Sequence, residues 1–529
     1  MTNDLLLAVR DWKLEAYYED MSRLFYRFDG FDDILGGKYA FVVGRKGSGK
    51  SAIANYIASV QEFDQFVSKI DLSDFPHDEF DQVLGENAAN SSAIISAWRF
   101  VLLDAVIEMM AHNENIGGEA SRILEKIKPR STESRLEQSY MSYSGGSIGL
   151  GIADNPIISG ISAKIGTKSK HTDENRFSKR MHAIEKFIHE HADDKKYYIL
   201  VDHVDTGYDE SYNSESMEGK YYWNKVKSLL KAAIKLRQTF LNSKIQILPI
   251  IFIPDDIYEQ IKDRDKGKWA DVKFSLKWRK DALQRMLQFR IGNSCASPKN
   301  YENIDTAISA VFDNTEVQLP QKFDNVKSKN IFDYILLRSY MRPRDFISYM
   351  KICADSAIRQ NPDKTRIPSW LLLASEQNYS EYMREQVVDE VGQILPDISD
   401  ILGLFDKLPM HRFFTYQDFD VALKSGFEDL NKTPPATNFV LLILYKFSII
   451  GNSRRFAKIF NSQTKTFEPT RYYRTFHYMK PGVSLDLDGD MSLHSSLWVS
   501  LFPSRTEMLG NVADSFVNDT DEIPHFSDE

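Results

Sequence analysis

Residues 44–52 read Gly44-Arg45-Lys46-Gly47-Ser48-Gly49-Lys50-Ser51-Ala52, and few folds accommodate the G-x-x-x-x-G-K-S pattern within it. Its setting narrows the choice further. Tyr39-Ala40-Phe41-Val42-Val43 before it is a short apolar run suited to a buried parallel strand. Ser51 to Ala58 after it carries apolar residues at helical spacing. In a strand–loop–helix, glycines let successive backbone N–H groups turn inward on phosphates, and the helix N-terminus adds partial positive charge. Residues 44–52 are the expected cradle, with Lys50 on the β- and γ-phosphates and the Ser51 hydroxyl on Mg2+. A Gly/Ser/Lys surface turn is the alternative, and the flanking strand and helix argue against it. The pattern implies a bound nucleoside triphosphate.

Such a loop needs a second acidic strand. Lys195-Lys196-Tyr197-Tyr198-Ile199-Leu200-Val201-Asp202 rises into an apolar run and ends on a carboxylate, placing Asp202 where a Mg2+-coordinating acid belongs. Active ATPases commonly carry Glu next; this chain has His203, and a second acid comes at Asp205. The D-x-x-D spacing puts Asp205 just past the carboxyl end of the strand, where open α/β sheets bind ligands. Asp205 is therefore the first candidate for general base and His203 the second. Asp205 capping the next turn is the plainer alternative.

At 529 residues the chain is long enough for about three domains. Its 42% hydrophobic content supports sizeable cores, which excludes wholesale disorder. Cys295 and Cys353 offer neither a disulfide framework nor a zinc site and suit a reducing cytoplasm, the expected location. Met1-Thr2-Asn3-Asp4 does not read as a secretory signal. The runs Ile247–Ile253 and Phe439–Tyr445 are too short to span a bilayer, so no membrane partner is expected. A net charge of −9 argues against indiscriminate nucleic-acid binding by the whole surface.

Five apolar runs, near 39–43, 66–72, 197–202, 245–253 and 271–276, alternate with helical patterns. The expected fold is α/β: a P-loop NTPase with a five-stranded parallel sheet and helices on both faces, to which a resemblance to known ATPases, carried by the motifs below, adds an α-helical lid and a C-terminal winged-helix-like domain. Pro249 sits awkwardly in the fourth run, since central strands tolerate proline poorly. The expected divisions are a helical lead-in (1–36), an ATPase core (37–277) and a lid (278–367). A connecting helix (368–407), the winged-helix-like domain (408–506) and an acidic tail (507–529) complete the chain. Within the core, 131–175 reads as a Gly/Ser-rich inserted hairpin or loop.

On these motifs the chain resembles a prokaryotic P-loop ATPase of the AAA+ or STAND type, near the origin-recognition-like branch and the orphan ATPases of anti-phage defence loci. The strand order expected is that of the additional-strand class. The resemblance implies ATP rather than GTP, with Mg2+. It puts a γ-phosphate sensor at the tip of the fourth strand, which is Pro254-Asp255-Asp256 in this chain, whereas related chains carry Arg, Asn or Thr. Trp278 to Leu287 resembles the first helix of a lid. Tyr340-Met341-Arg342-Pro343-Arg344-Asp345-Phe346-Ile347 resembles the lid motif whose arginine faces the nucleotide, and the second sensor maps onto Arg344. Its alternative is an arginine at a helix start paired with Asp345. The resemblance further implies a homo-oligomer or a partner effector chain, with Arg264 or Lys268 completing a neighbour's site.

Beyond Leu408 a helix from Tyr416, a second capped by Thr437 and two β-like segments resemble a winged helix. Between 410 and 480 eleven Lys/Arg stand against five Asp/Glu, a local charge of +6. Arg454, Arg455, Arg471 and Arg474 interleave with aromatic residues there, a pattern suited to contact with nucleic acid. The alternative is that the aromatics pack the wing and the cations solvate it. From Glu507 on there are seven acids and no Lys or Arg, a tail able to shield the basic face. Three readings stay open: an ATPase switch acting on assembly or on an effector, an ATP-dependent DNA-binding protein, and an ATP-binding scaffold without useful turnover.

Overall fold

The structure is a computed structural model. It describes residues 4–60, 64–84, 90–124, 173–206, 217–241, 243–319, 327–392, 394–408, 413–455, 460–461, 466–467 and 472–502. The expected Gly/Ser-rich insertion, almost all of it, and the acidic tail lie outside these residues. The chain divides into two compact units, residues 15–277 and residues 1–14 together with 278–529.

The first unit is built on five parallel strands: β1 (Phe41–Gly44), β2 (Gln65–Asp71), β3 (Lys196–Asp202), β4 (Gln246–Pro254) and β5 (Lys273–Ser275). They lie side by side in the order β2-β3-β4-β1-β5, the arrangement of an α/β P-loop NTPase. Because side chains alternate along a strand, each central strand feeds two cores. Phe41, Tyr197, Ile199, Val201, Ile251 and Ile253 point into one cluster, covered by the helices Ser91–Ala111 and Met217–Phe240. Val42, Tyr198, Leu200, Ile250 and Phe252 point into the other, covered by the helix Lys50–Ser59. Both faces are buried, so the strands read as unbroken apolar runs. Each such side chain contributes about 1.5–3 kcal/mol by leaving water.

Pro249 fits because of where β1 begins. Ile251 N donates to Ala40 O at 2.8 Å, so the nitrogen two residues back faces the same side, beyond the N-terminal end of β1. No ladder bond is lost there.

The second unit is helical from Lys280–Gly292 through Pro343–Gln360 to Glu376–Val391, with an antiparallel pair β6 (Glu316–Leu319) and β7 (Lys327–Asn330). Asn330 caps the helix Ile331–Leu337 with its side chain, and Pro343 opens the helix Pro343–Gln360 at a position that needs no N–H. The stretch expected as a connecting helix is divided into Leu371–Ala374, Glu376–Val391 and Ile398–Gly403.

Two helices come next, Tyr416–Asp429 and Thr437–Lys446. Thr437 lies inside the second rather than capping it, and its Oγ1 donates to Asp420 Oδ1 at 2.6 Å. The strands of this region are β8 (Phe413–Phe414), β9 (Ile450–Arg455), β10 (Phe460–Asn461), β11 (Thr466–Phe467), β12 (Tyr472–Phe476) and β13 (Asp490–Leu493). A two-stranded wing was expected; β12-β9-β13-β8 form a four-stranded sheet, because β13 inserts between β9 and β8. No helix among the described residues is long and apolar enough to cross a membrane.

Candidate functional site

Gly44 closes β1, residues 45–49 form the loop and Lys50 opens the helix Lys50–Ser59. Gly47 and Gly49 take φ of 79° and 102°, a left-handed backbone that other residues adopt only with strain. At Gly44 a Cβ would lie 2.7 Å from Ser48 Oγ and 3.1 Å from the Leu276 carbonyl oxygen, so the loop closes only on glycine. Lys50 Nζ donates to the Gly44 and Arg45 carbonyls at 2.8 and 3.1 Å, held across the mouth of its own loop. Ser51 and Ala52 begin the helix half-buried, and Lys46 is exposed.

Register puts the acids around this loop. Pro254, at the tip of β4, is the partner of Gly44, so Asp255 and Asp256 leave the sheet beside the first glycine. On the other side of β4, β3 ends at Asp202. Burial pushes the Lys50 ammonium down from its ordinary value, and Asp205, Asp255, Asp202 and Asp256 oppose that shift by their charge. Four carboxylates therefore act on one lysine.

Asp202 is 2% exposed. Its Oδ1 accepts the His203 backbone N–H at 3.0 Å, while Oδ2 is buried without a hydrogen-bond partner. A buried, unsatisfied carboxylate oxygen is costly unless a cation completes it, and an acid so placed fits Mg2+. Ser51 and Asp202 are the residues that would hold the ion. Asp205 is exposed, and no described residue donates a hydrogen bond to its carboxylate.

His203 has a left-handed backbone, φ 57°, and its Nδ1 lies 2.8 Å from Asp71 Oδ1. That hydrogen bond raises the imidazole to about 9 against the opposing effect of burial, with the charges of Asp202, Asp71 and Asp205 adding to it. Burial alone would raise the Asp71 carboxyl. The hydrogen bonds from His203 and Ser73 overcome that and hold it well below its usual range. Asp71 was not singled out from the sequence; the signal lay in strand ends, since Asp71 pairs in register with Asp202.

The second-sensor candidate belongs to the second unit. Arg344 is half-buried at the start of the helix Pro343–Gln360, with Nη1 3.5 Å from Gln386 Oε1. The alternative pairing with Asp345 is not the one seen. Asp345 is taken by the buried Arg342, whose Nη1 also reaches Glu390 at 2.8 Å. In the first unit Arg264 is exposed, and Lys268 binds Asp265 at 2.8 Å.

Of the four arginines expected to touch nucleic acid, Arg454 is exposed and pairs in backbone register with Tyr473. Arg455 lies next to it on β9, and Arg471 is outside the described residues. Arg474 corrects the expectation. It is 7% exposed, with its guanidinium 5.0 Å from the Phe413 ring centroid and 5.1 Å from that of Trp498. Its ladder partner Ser453 is buried, so Arg474 sits on the covered face of the sheet. Lys424 pairs with Asp420, and Lys432 with Asp397 and Asp400, which further reduces the free positive charge.

Comparison with known proteins adds two findings. The model of the FunZ-associated C-terminal helical domain matches residues 281–388, within the second unit. The chain is similar to the crystal structure of Cdc6p from Pyrobaculum aerophilum, at 12% identity and a TM-score of 0.30, over 96% of this chain and 98% of that one. At that TM-score the likeness carries nothing about fold or function, which rest on the strand order and side chains above. No curated protein matches the chain.

Proposed function

We propose that the chain is an ATP-binding and ATP-hydrolysing switch of the AAA+ or STAND type, in which nucleotide state acts on assembly or on a partner effector. The observation that carries this reading is the orphaned, buried Oδ2 of Asp202 at the carboxyl edge shared with the glycine loop. Residues 44–52 cradle the phosphates and Lys50 exchanges its loop carbonyls for phosphate oxygens. Ser51 and Asp202 would hold Mg2+, which would supply charge neutralisation to the triphosphate. Asp205 takes the proton of the attacking water. In the metal-free protein the hydrogen bond to Asp71 favours the protonated imidazole of His203, with the charges of Asp202, Asp71 and Asp205 adding to it, so His203 stays the second candidate for base. Arg344 as second sensor, a trans arginine from Arg264 or Lys268, and a role in anti-phage defence rest on the resemblance drawn from the motifs.

A second reading, nucleic-acid binding through a C-terminal winged helix, is favoured by the exposed Arg454. Against it, the outward face of the helix Thr437–Lys446 presents Phe439 and Leu442, 46% and 50% exposed, rather than cations. A scaffold without turnover is kept open by His203 standing where a glutamate is common.

Turnover separates these readings. ATP hydrolysis by the wild type, slowed at least about a hundredfold in Asp205→Asn with ATP still bound, supports the switch with Asp205 as base. Binding without hydrolysis in the wild type supports the scaffold. Turnover appearing only with DNA supports the second reading. Mass photometry with and without ATP reports assembly in the same samples.

A further inference from the structure

Asp205 reaches the carboxyl edge of the sheet on a turn. Thr206 N donates to the His203 carbonyl at 3.0 Å, closing a β-turn over residues 203–206 with Val204 and Asp205 at its central positions. The first residue of the turn is fixed twice over. His203 N donates to Asp202 Oδ1 at 3.0 Å, and its imidazole is tied to Asp71. The central peptide joins the Val204 carbonyl to the Asp205 N–H. Rotating that peptide by about 180° is what separates a type I turn from a type II turn. Such a rotation moves the third residue, Asp205, to a left-handed backbone, which aspartate tolerates better than most residues. The turn's own hydrogen bond therefore does not set the direction of the Asp205 carboxylate.

The helix Met217–Phe240 supplies the missing constraint. Tyr222 Oη donates to the Val204 carbonyl at 3.1 Å, and both residues are buried. Flipping the central peptide would break this bond where water does not replace it. Tyr222 itself stands on a fixed base. One helical turn on, Lys225 Nζ binds Asp81 Oδ1 at 2.7 Å, and Trp98 Nε1 donates to the Lys225 carbonyl at 3.1 Å. The neighbouring Tyr221 hydroxyl also donates to Asp81 Oδ1, at 2.5 Å. The start of the helix is thus pinned to two others, His77–Leu84 and Ser91–Ala111.

We propose that Tyr222 is a positioning residue for hydrolysis. By holding the Val204 carbonyl it sets the peptide that precedes Asp205, and so aims the Asp205 carboxylate at the attacking water. Its phenol acts through the backbone and not on the nucleotide. The inference rests on the reading of Asp205 as general base and adds what directs that base.

Single-turnover ATP hydrolysis and ATP binding test it in four full-length proteins: wild type, Tyr222→Phe, Asp205→Asn and the double variant. Rates are referred to sites counted by ATP titration, so a loss of folded protein does not register as lost catalysis. Tyr222→Phe should lower the rate about tenfold or more, with ATP affinity within about threefold of wild type. In the Asp205→Asn background the same substitution should lower the residual rate less than about twofold, since no base is left to aim. A wild-type rate in folded Tyr222→Phe, or an equal loss in both backgrounds, overturns the positioning role. Where Tyr222→Phe does not fold, Tyr222→Met fills the space without a hydroxyl and takes its place. Failure of both to fold makes Tyr222 purely structural and overturns the role as well. Full turnover in Asp205→Asn, or none in the wild type, overturns the reading of Asp205 as base, and this proposal with it.

Discussion

His203 Nδ1 lies 2.8 Å from Asp71 Oδ1, joining the carboxyl ends of β3 and β2 at the residue next to the buried Asp202. A chain that placed glutamate after Asp202 would have two adjacent acids. This one has a cation tied to an acid of the neighbouring strand.

The imidazole of His203 in nucleotide- and metal-free protein should titrate near 9, read from its ring-proton shift and assigned with a His203→Ala variant. Asp71→Asn should bring it down toward about 6.5. The folded imidazole is raised, so its stabilising contribution is complete below about 6.5 and lost as pH rises through 9. The Asp71 contribution runs the other way, present above about 3.9 and lost in acid. A wild-type midpoint at 6.5 would show that His203 and Asp71 are not paired in solution.

Arg342 and Arg344 are two residues apart and should behave oppositely. Arg342→Ala leaves Asp345 and Glu390 without their buried partner and should cost about 3–5 kcal/mol in urea denaturation. Arg344→Ala should stay within about 0.5 kcal/mol of wild type while weakening the response to ATP. Equal losses of stability would give Arg344 a structural role and end its assignment as a sensor.

Arg474 and Arg454 divide in the same manner. Arg474→Ala removes a guanidinium packed between Phe413 and Trp498 and should cost about 2–4 kcal/mol of stability. Arg454→Ala should leave stability unchanged and lower any affinity for DNA or an acidic partner, with a shallower salt dependence. A stable Arg474→Ala with reduced DNA binding would reverse the correction made to its role.

The two cysteines should alkylate at different rates. Cys353 is buried, and burial pushes its thiol up to about 12; Cys295 is partly accessible. Iodoacetamide at pH 8 with detection by mass spectrometry should label Cys295 in native protein and Cys353 only after urea. Prompt labelling of both would show that the helix Pro343–Gln360 opens readily.

Much of the first unit could be read from the residues, because both faces of the sheet are buried. Runs such as Tyr197–Val201 and Ile250–Ile253 announce strands without a partner in view, and the residues Gly44 to Ser51 dictate a phosphate loop and a helix after the first strand. Asp71 escaped because only register shows that it ends beside Asp202. Arg474 was read as a surface cation because alternation alone does not say which face of a sheet is covered; Trp498, distant in sequence, decides it. The same holds for β13, which pairs with both β9 and β8 and so enlarges the two-stranded wing that was expected. Trp12 looked like part of a continuous lead-in, yet its hydrogen bond to Ser294 ties it 282 residues away.

Binding of a nucleoside triphosphate with Mg2+ by the loop Gly44–Ser51 underlies every functional proposal made for this chain. Titration calorimetry of ATP into wild type and Lys50→Ala, with Mg2+ and with chelator, measures it without an intermediate. The wild type should bind ATP in a Mg2+-dependent manner. Lys50→Ala should lose at least about a hundredfold in affinity while its circular dichroism and melting stay those of the wild type. ATP affinity unchanged in folded Lys50→Ala would contradict the assignment of the loop.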